Sequence, residues 1–355
     1  MNFFRNFWRG TERASPQAGT NSANEEGHLC SSNNESAFEI FAEPEDAIVD
    51  IVLVHGLGGD VVDTWDHPLT NVVWPRDILP ADVPDARIMS FRYDSKFVRS
   101  FGPVSSNTIR DHGRVLAGAL DSTRDVAGYP TRPIIFIAHS LGGLVCEYAI
   151  LLSEKDYLAN STIGIITLGT PHEGSNLANW SKILSGIAKV FPASNKIVDA
   201  LRPCSEELGS LQDDFFLMLR RRRQRREPVP DIVCFYEELE MNRALGLIVT
   251  KRSATLSSYR KYSLHGNHVS MVKFSGRSDA GYQAIMREIK MWVKEIEGKK
   301  TGSQAVGSGR DIEPHGMQHG KTFRNYYAGN VTHSGQVFQG DITSSSTINI
   351  SALPK

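Results

Sequence analysis

Between Phe38 and Gly298 short apolar runs rich in β-branched residues alternate with segments whose apolar residues recur at helical spacing. The runs Ile48 to Val54, Arg87 to Tyr93, Ile134 to Ala138, Ile163 to Leu168 and Ile232 to Tyr236 are short and almost continuous. That pattern predicts strands covered on both faces, because a strand with one wet face alternates polar and apolar positions. Helices are predicted over Asn107 to Asp121, Leu141 to Ser153 and Asp279 to Glu297. In the last, Ile285, Ile289, Trp292, Val293 and Ile296 form a one-sided stripe suited to packing on a sheet. Strand and helix in alternation imply βαβ crossovers, hence an α/β domain with a mainly parallel sheet and helices on both faces.

The pattern fails at both ends. Residues 1–36 are dominated by Ser, Asn, Thr, Glu and Gly beyond an aromatic and basic start, and are read as a disordered tail. The start MNFFRNFWRG lacks the apolar stretch of a secretory signal; a weak interfacial anchor is the alternative to simple disorder. Glycines punctuate residues 299–323, which reads as a flexible linker, and residues 324–355 form a separate C-terminal element. The folded domain is therefore expected over 37–298.

Composition narrows the function classes. Lys and Arg total 39 against 40 Asp and Glu, so no general positive field exists to hold nucleic acid. Hydrophobic content of 40% supports a sizeable core and excludes global disorder. No apolar run approaches the roughly 18 residues of a membrane-spanning helix. Cys30, Cys146, Cys204 and Cys234 are scattered without metal-ligand spacing. The expectation is a cytoplasmic, unsecreted chain with no metal or organic cofactor.

The strongest chemical signal is Ile134-Ile135-Phe136-Ile137-Ala138-His139-Ser140-Leu141-Gly142-Gly143. A buried strand runs into a turn with a serine at its apex and a helix beyond, which is the layout of a nucleophile elbow. Such a turn needs small residues two before and two after the serine; Ala138, where Gly is more usual, and Gly142 supply them. An acyl-transfer serine also needs donors aimed at the developing oxyanion. Val52-Leu53-Val54-His55-Gly56-Leu57-Gly58-Gly59 offers a strand followed by a glycine-rich turn, so the expected oxyanion donors are the amides of Leu57 and Leu141. A carboxylate and then a histidine should follow the serine in the chain. Glu237, at the end of the strand over Ile232 to Tyr236, is the preferred acid, with Glu238 and Glu240 as rivals; His268 is the preferred base, with His265 as its rival. His139 and His172 lie near the elbow in sequence but precede the acid.

HGLGG, Thr64-Trp65, AHSLGG, Gly169-Thr170-Pro171-His172-Glu173-Gly174-Ser175, Phe235-Tyr236-Glu237 and Asn267-His268-Val269-Ser270-Met271-Val272-Lys273-Phe274 together resemble the serine-active-site, lipase-like α/β-hydrolases, and more narrowly the SesB-type proteins of filamentous fungi. The resemblance covers roughly Phe38 to Glu297. It implies the α/β-hydrolase fold, a triad of Ser140, Glu237 and His268, and hydrolysis of an ester or lipid substrate. The rival class is a catalytically silent hydrolase fold serving as a signalling scaffold.

Between about 174 and 228 the sheet pattern lapses. Leu177, Trp180, Leu184, Ile187 and Phe191 form an apolar helix face, suited equally to core and to a lid lining an acyl pocket. Arg220, Arg221, Arg222, Arg223, Arg225 and Arg226 are expected to be solvated at a helix C-terminus; attraction to anionic lipid, hence a peripheral membrane contact, is the functional alternative.

In the C-terminal element, Gly329, Asn330, Val331, Gly335, Val337 and Gly340 lie in a stretch of low charge without proline, a profile suited to cross-β stacking. Their arrangement resembles the sigma-type amyloid signalling motif of fungal NLR-associated proteins. That resemblance implies self-assembly through the tail and an NLR-type sensor carrying a matching motif as partner. A peptide spanning Arg324 to Lys355 is expected to form fibrils with cross-β diffraction, and proline at both Val331 and Val337 to abolish them by removing ladder donors. A wild-type peptide that stays soluble when seeded would reduce the tail to ordinary disorder.

Overall fold

The computed structural model describes residues 36–93, 109–126, 128–153, 156–172, 177–190 and 204–306. All belong to the compact unit Met1–Val306; the N-terminal tail expectation up to residue 35, the linker expectation beyond Val306 and the C-terminal motif expectation lie outside the described residues, whereas residues 299–306, expected as linker, are helical. Seven strands form one sheet: β1 (Phe38–Ala42), β2 (Val49–Val54), β3 (Ala86–Phe91), β4 (Ile134–His139), β5 (Thr162–Leu168), β6 (Asp231–Glu237) and β7 (Arg260–Leu264), in the order β1-β3-β2-β4-β5-β6-β7. Only β1 is antiparallel to its neighbour. The helices are α1 (Trp74–Asp77), α2 (Leu79–Asp82), α3 (Ile109–Val126), α4 (Gly142–Leu152), α5 (Tyr157–Ser161), α6 (Leu177–Val190), α7 (Cys204–Gln224) and α8 (Ala280–Val306).

The continuous apolar runs serve two cores at once. Val52, Val54, Phe136, Ala138, Ile165 and Cys234 face one side, packed with α3, α4, α6 and α7. Their neighbours Ile51, Leu53, Ile137, Ile166 and Val233 face the other, packed with Trp65, Trp74 and the α8 stripe from Tyr282 to Ile296. Period-2 alternation with helices on both faces leaves no wet face on the central strands. The mostly parallel sheet, its antiparallel edge strand and the helices on both faces make the α/β-hydrolase fold.

Several elements go beyond the pattern in the sequence. β1 and β7 lie at the sheet edges and each buries a single residue, Phe38 and Leu264, and β7 shows no apolar run. α8 continues past Gly298 to Val306. In α7, Leu208, Leu211, Phe215, Leu219 and Arg222 are buried at three- and four-residue spacing. Trp180, Ile183, Leu184 and Ile187 of α6 join the same core, whereas Phe191 lies outside the described residues. The expectation of six solvated arginines is corrected at one position. Arg222 sits on the inward face of α7, donating to Asn160 Oδ1 (2.6 Å) and the Pro228 carbonyl (2.8 Å), with Asp156 and Glu227 at 3.4 and 3.5 Å; the other five arginines are exposed.

One buried carboxylate ties three elements together at the end of the central strands opposite the serine. Asp50 of β2 accepts two bonds from Arg87 of β3 (2.9 and 3.1 Å) and one from Arg132 before β4 (3.1 Å), and lies 3.4 Å from Arg124 Nε of α3. Burial pulls the Arg124 pKa down, opposed by the charge of Asp50. Removing Asp50 leaves three buried guanidiniums without their shared counter-charge. Asp50→Ala is therefore expected to cost about 3–5 kcal/mol or more, read as a fall in the urea midpoint; a midpoint matching wild type would show that solvent or Glu43 already neutralises the cluster.

Candidate active site

The turn after β4 has the geometry of the elbow. Ser140 has φ of 51°, in the left-handed region that a residue with a Cβ enters only when its surroundings impose it. Its amide donates to the Leu168 carbonyl of β5 (2.9 Å), and its carbonyl accepts from Gly143 (3.1 Å). A Cβ on Gly142 would lie 2.4 Å from the carbonyl oxygens of both Val54 and His55, so glycine is required where α4 crosses the end of β2. Ala138 points its methyl into the core on the α4 side, where the extra carbon is accommodated.

The glycine turn after β2 lies directly against the serine. A Cβ on Gly56 would lie 2.8 Å from Ser140 Cβ, and Gly59 N donates to Gly56 O (3.0 Å) to close the turn around Leu57. The Tyr93 hydroxyl donates to the His55 carbonyl (2.6 Å), and the two rings stack at 4.3 Å. Among the described residues neither the Leu57 nor the Leu141 amide donates to a protein acceptor.

His268 Nε2 lies 2.9 Å from Ser140 Oγ. Behind it, His268 Nδ1 lies 3.8 Å from Glu237 Oε2, and neither atom has a hydrogen-bond partner among the described residues. The other oxygen, Oε1, accepts from the Val249 amide (2.5 Å), which fixes the carboxylate from the far side. Serine, histidine and glutamate are all essentially buried. The Nδ1 to Oε2 separation is longer than a hydrogen bond.

The rivals are placed elsewhere. His265 and Glu238 pair with each other at 3.1 Å on the surface, with the His265 side chain 82% exposed, and Glu240 is exposed. His139 donates from Nε2 to the His268 carbonyl (2.8 Å), holding the backbone of the base rather than its ring. His172 turns away, its Nδ1 3.0 Å from Gln212 Nε2 of α7 and 3.4 Å from Glu147 of α4. Tyr93 and the backbone role of His139 are features that sequence reasoning missed; His139 stood inside a recognised motif, whereas nothing in sequence links Tyr93 to His55.

Burial sets the protonation of the site. It lowers the His268 pKa well below the ordinary range, assisted by nearby His139, whose own pKa burial lowers to about 4. It raises Glu237 to about 7, against the pull of the Val249, Ile248 and His268 amides. For His172 the lowering by burial is outweighed by bonding to Cys234 and Glu147, and its pKa stands at about 9.

Fold and site together have the form of serine-nucleophile α/β-hydrolases. The comparisons agree: residues 46–201 match the family model described as "Putative serine esterase (DUF676)". That segment contains the elbow and the glycine turn but ends before Glu237 and His268. Protein SERAC1 of Bos taurus is 32% identical over 187 residues, and that of Homo sapiens 31% over the same length. Each alignment covers 47% of this chain and 27% of the relative, so the chain spans about a quarter of those proteins. Among solved structures, the mature Bacillus licheniformis lipase BlEst2 is 18% identical with a TM-score of 0.45, covering 67% of this chain and 94% of that one.

The Glu237 shift makes a pH prediction. A carboxyl with a raised pKa becomes anionic only as pH rises through about 7, so turnover of an ester should climb through that value. Glu237→Gln should remove this limb and lower turnover at pH 8 by on the order of 10³-fold. The sign of the stability effect is opposite. Between the unfolded carboxyl pKa and about 7 the folded chain holds a proton that the unfolded chain releases, so stability falls as pH rises across that window. Glu237→Gln should therefore unfold at higher urea than wild type at pH 8; a lower midpoint together with an unchanged pH limb would contradict the assignment.

Proposed function

We propose that the protein is a serine hydrolase that cleaves carboxylic esters. The observation that carries this reading is Ser140 Oγ, on a left-handed elbow, 2.9 Å from Nε2 of a buried histidine. With Nε2 unprotonated and Nδ1–H directed at Glu237, His268 takes the serine proton as Oγ attacks the acyl carbon. The carbonyl oxygen gains the negative charge and is received by the Leu57 and Leu141 amides. Glu237 stabilises the imidazolium, which then protonates the departing alkoxide. Water, activated by the same histidine, releases the acid and restores Ser140.

The wider reading is an effector of cell death or incompatibility, held in the cytoplasm. Templating of the Gly329 to Gly340 motif by an NLR-type sensor clusters its hydrolase domains and multiplies weak contacts with lipid. Support comes from the tail's resemblance and composition together with the hydrolase domain that precedes it. No helix among the described residues is long and apolar enough to cross a membrane, so contact with lipid in this reading is peripheral.

A fluorophosphonate probe should label the full-length protein, and Ser140→Ala should abolish labelling without changing the unfolding free energy, measured in urea, by more than about 1 kcal/mol. His268→Ala should suppress turnover of a defined ester panel while His265→Ala retains it. A folded wild-type chain that takes no label would favour the silent-scaffold reading.

A further inference from the structure

Lys273 bears an ammonium that the ester chemistry leaves unused. Its Nζ donates to the carbonyls of Asp63 and of Asp66, the latter at 3.0 Å, in the segment that follows the glycine turn. That segment is a small knot. Asp60 Oδ1 accepts from the amides of Val62 (2.9 Å) and Asp63 (3.3 Å), Thr64 Oγ1 accepts from Asp60 (3.0 Å), and Trp65 N donates to Val62 O (3.0 Å). The glycine turn rests on it, since a Cβ on Gly59 would come within 2.7 Å of Thr64 Oγ1. A shift of the Asp63 and Asp66 carbonyls is thus passed through Thr64 and Gly59 to Leu57.

On its other side Lys273 is connected to His268 through a short hydrogen-bonded turn. The Asn267 side-chain oxygen accepts from Val269 (3.1 Å) and Ser270 (2.9 Å), Met271 N donates to Asn267 O (2.9 Å), and Lys273 N donates to Ser270 O (3.1 Å). These bonds make residues 267–273 one compact turn, with the imidazole at one end and the ammonium at the other. We propose that Lys273 is a positioning residue that sets the Leu57 amide relative to His268 Nε2, so that oxyanion donor and base address the same carbonyl. The proposal rests on the ester-hydrolase reading for its consequence, but the tether itself is a claim about the loops.

Cohesion between the two segments does not need the ammonium. Trp74 Nε1 donates to the Val272 carbonyl (2.9 Å), and Trp74 packs against Trp65 at 5.8 Å and Phe274 at 5.4 Å between ring centres. An apolar chain of the same length keeps this packing and avoids desolvating a charge. What it loses is the aim of two carbonyls at one point.

The test compares Lys273→Met and Lys273→Arg with wild type in the full-length chain. Lys273→Met should keep its urea midpoint while amide exchange speeds up over residues 56–66 and stays unchanged in β4. Its kcat for a p-nitrophenyl ester should fall on the order of 10²-fold, as for a small misplacement of catalytic groups, with KM held within about twofold. Lys273→Arg, which keeps the cationic donor, should recover part of both. Unchanged exchange over 56–66 in Lys273→Met, or a raised KM with kcat intact, would overturn the proposal. If wild type neither takes a fluorophosphonate nor turns over an ester, the hydrolase reading falls, while the exchange experiment still decides whether Lys273 holds the loop.

Discussion

The left-handed backbone of Ser140 is a strained state, on the order of 1–3 kcal/mol above ordinary conformations, and it persists because the two strands that flank β4 hold it. Leu168 of β5 takes the serine amide, the carbonyls of Val54 and His55 at the end of β2 press on Gly142, and Thr170 beyond β5 presses on Gly143. The placement of β4 between β2 and β5 is thus what makes the turn possible. The same crowding draws Gly56 against the serine, so the loop bearing Leu57 is delivered by the contacts that create the strain. The serine turn and the glycine turn are one structural event.

Burial then decides the electrostatics. In a dry site the imidazole resists protonation and the carboxylate resists ionisation, so His268 and Glu237 are driven toward their neutral forms. A pair of this kind suits a base that must start uncharged and gain a proton only as the reaction proceeds. It also means that the site stores unfavourable energy that other regions offset. The Asp50 cluster at the opposite end of the central strands and the two apolar cores on the faces of the sheet supply rigid support of that sort.

The central strands were legible because each is a continuous apolar run, and the elbow because its chemistry is written in consecutive residues from Ile134 to Gly143. The edge strands were not, since an edge strand needs few buried positions and Arg260 to Leu264 reads as a polar segment. Arg222 was hidden in a charge run, and its burial follows only from the phase of α7 against α4 and the Asn160 side chain. Lys273 and Tyr93 act across the fold, on carbonyls distant in the chain, and a carbonyl leaves no mark in a sequence.

By itself the sequence singled out the Ser140 turn, the glycine turn, the parallel layout and the short set of candidate acids and bases. Local spacing is enough for these, because strand period and turn sterics act between near neighbours. Tertiary structure decided among the candidates. β6 and β7 pair Glu237 with Leu264, so the residues that follow each strand, Glu238 and His265, meet at the surface as a hydrogen-bonded pair. Glu237, one residue earlier, faces inward, and the turn over residues 267–273 brings His268 back over it to Ser140. Successive strand residues point to opposite faces, so a choice between neighbours is a choice of face, and only the register and packing of the whole sheet assign it.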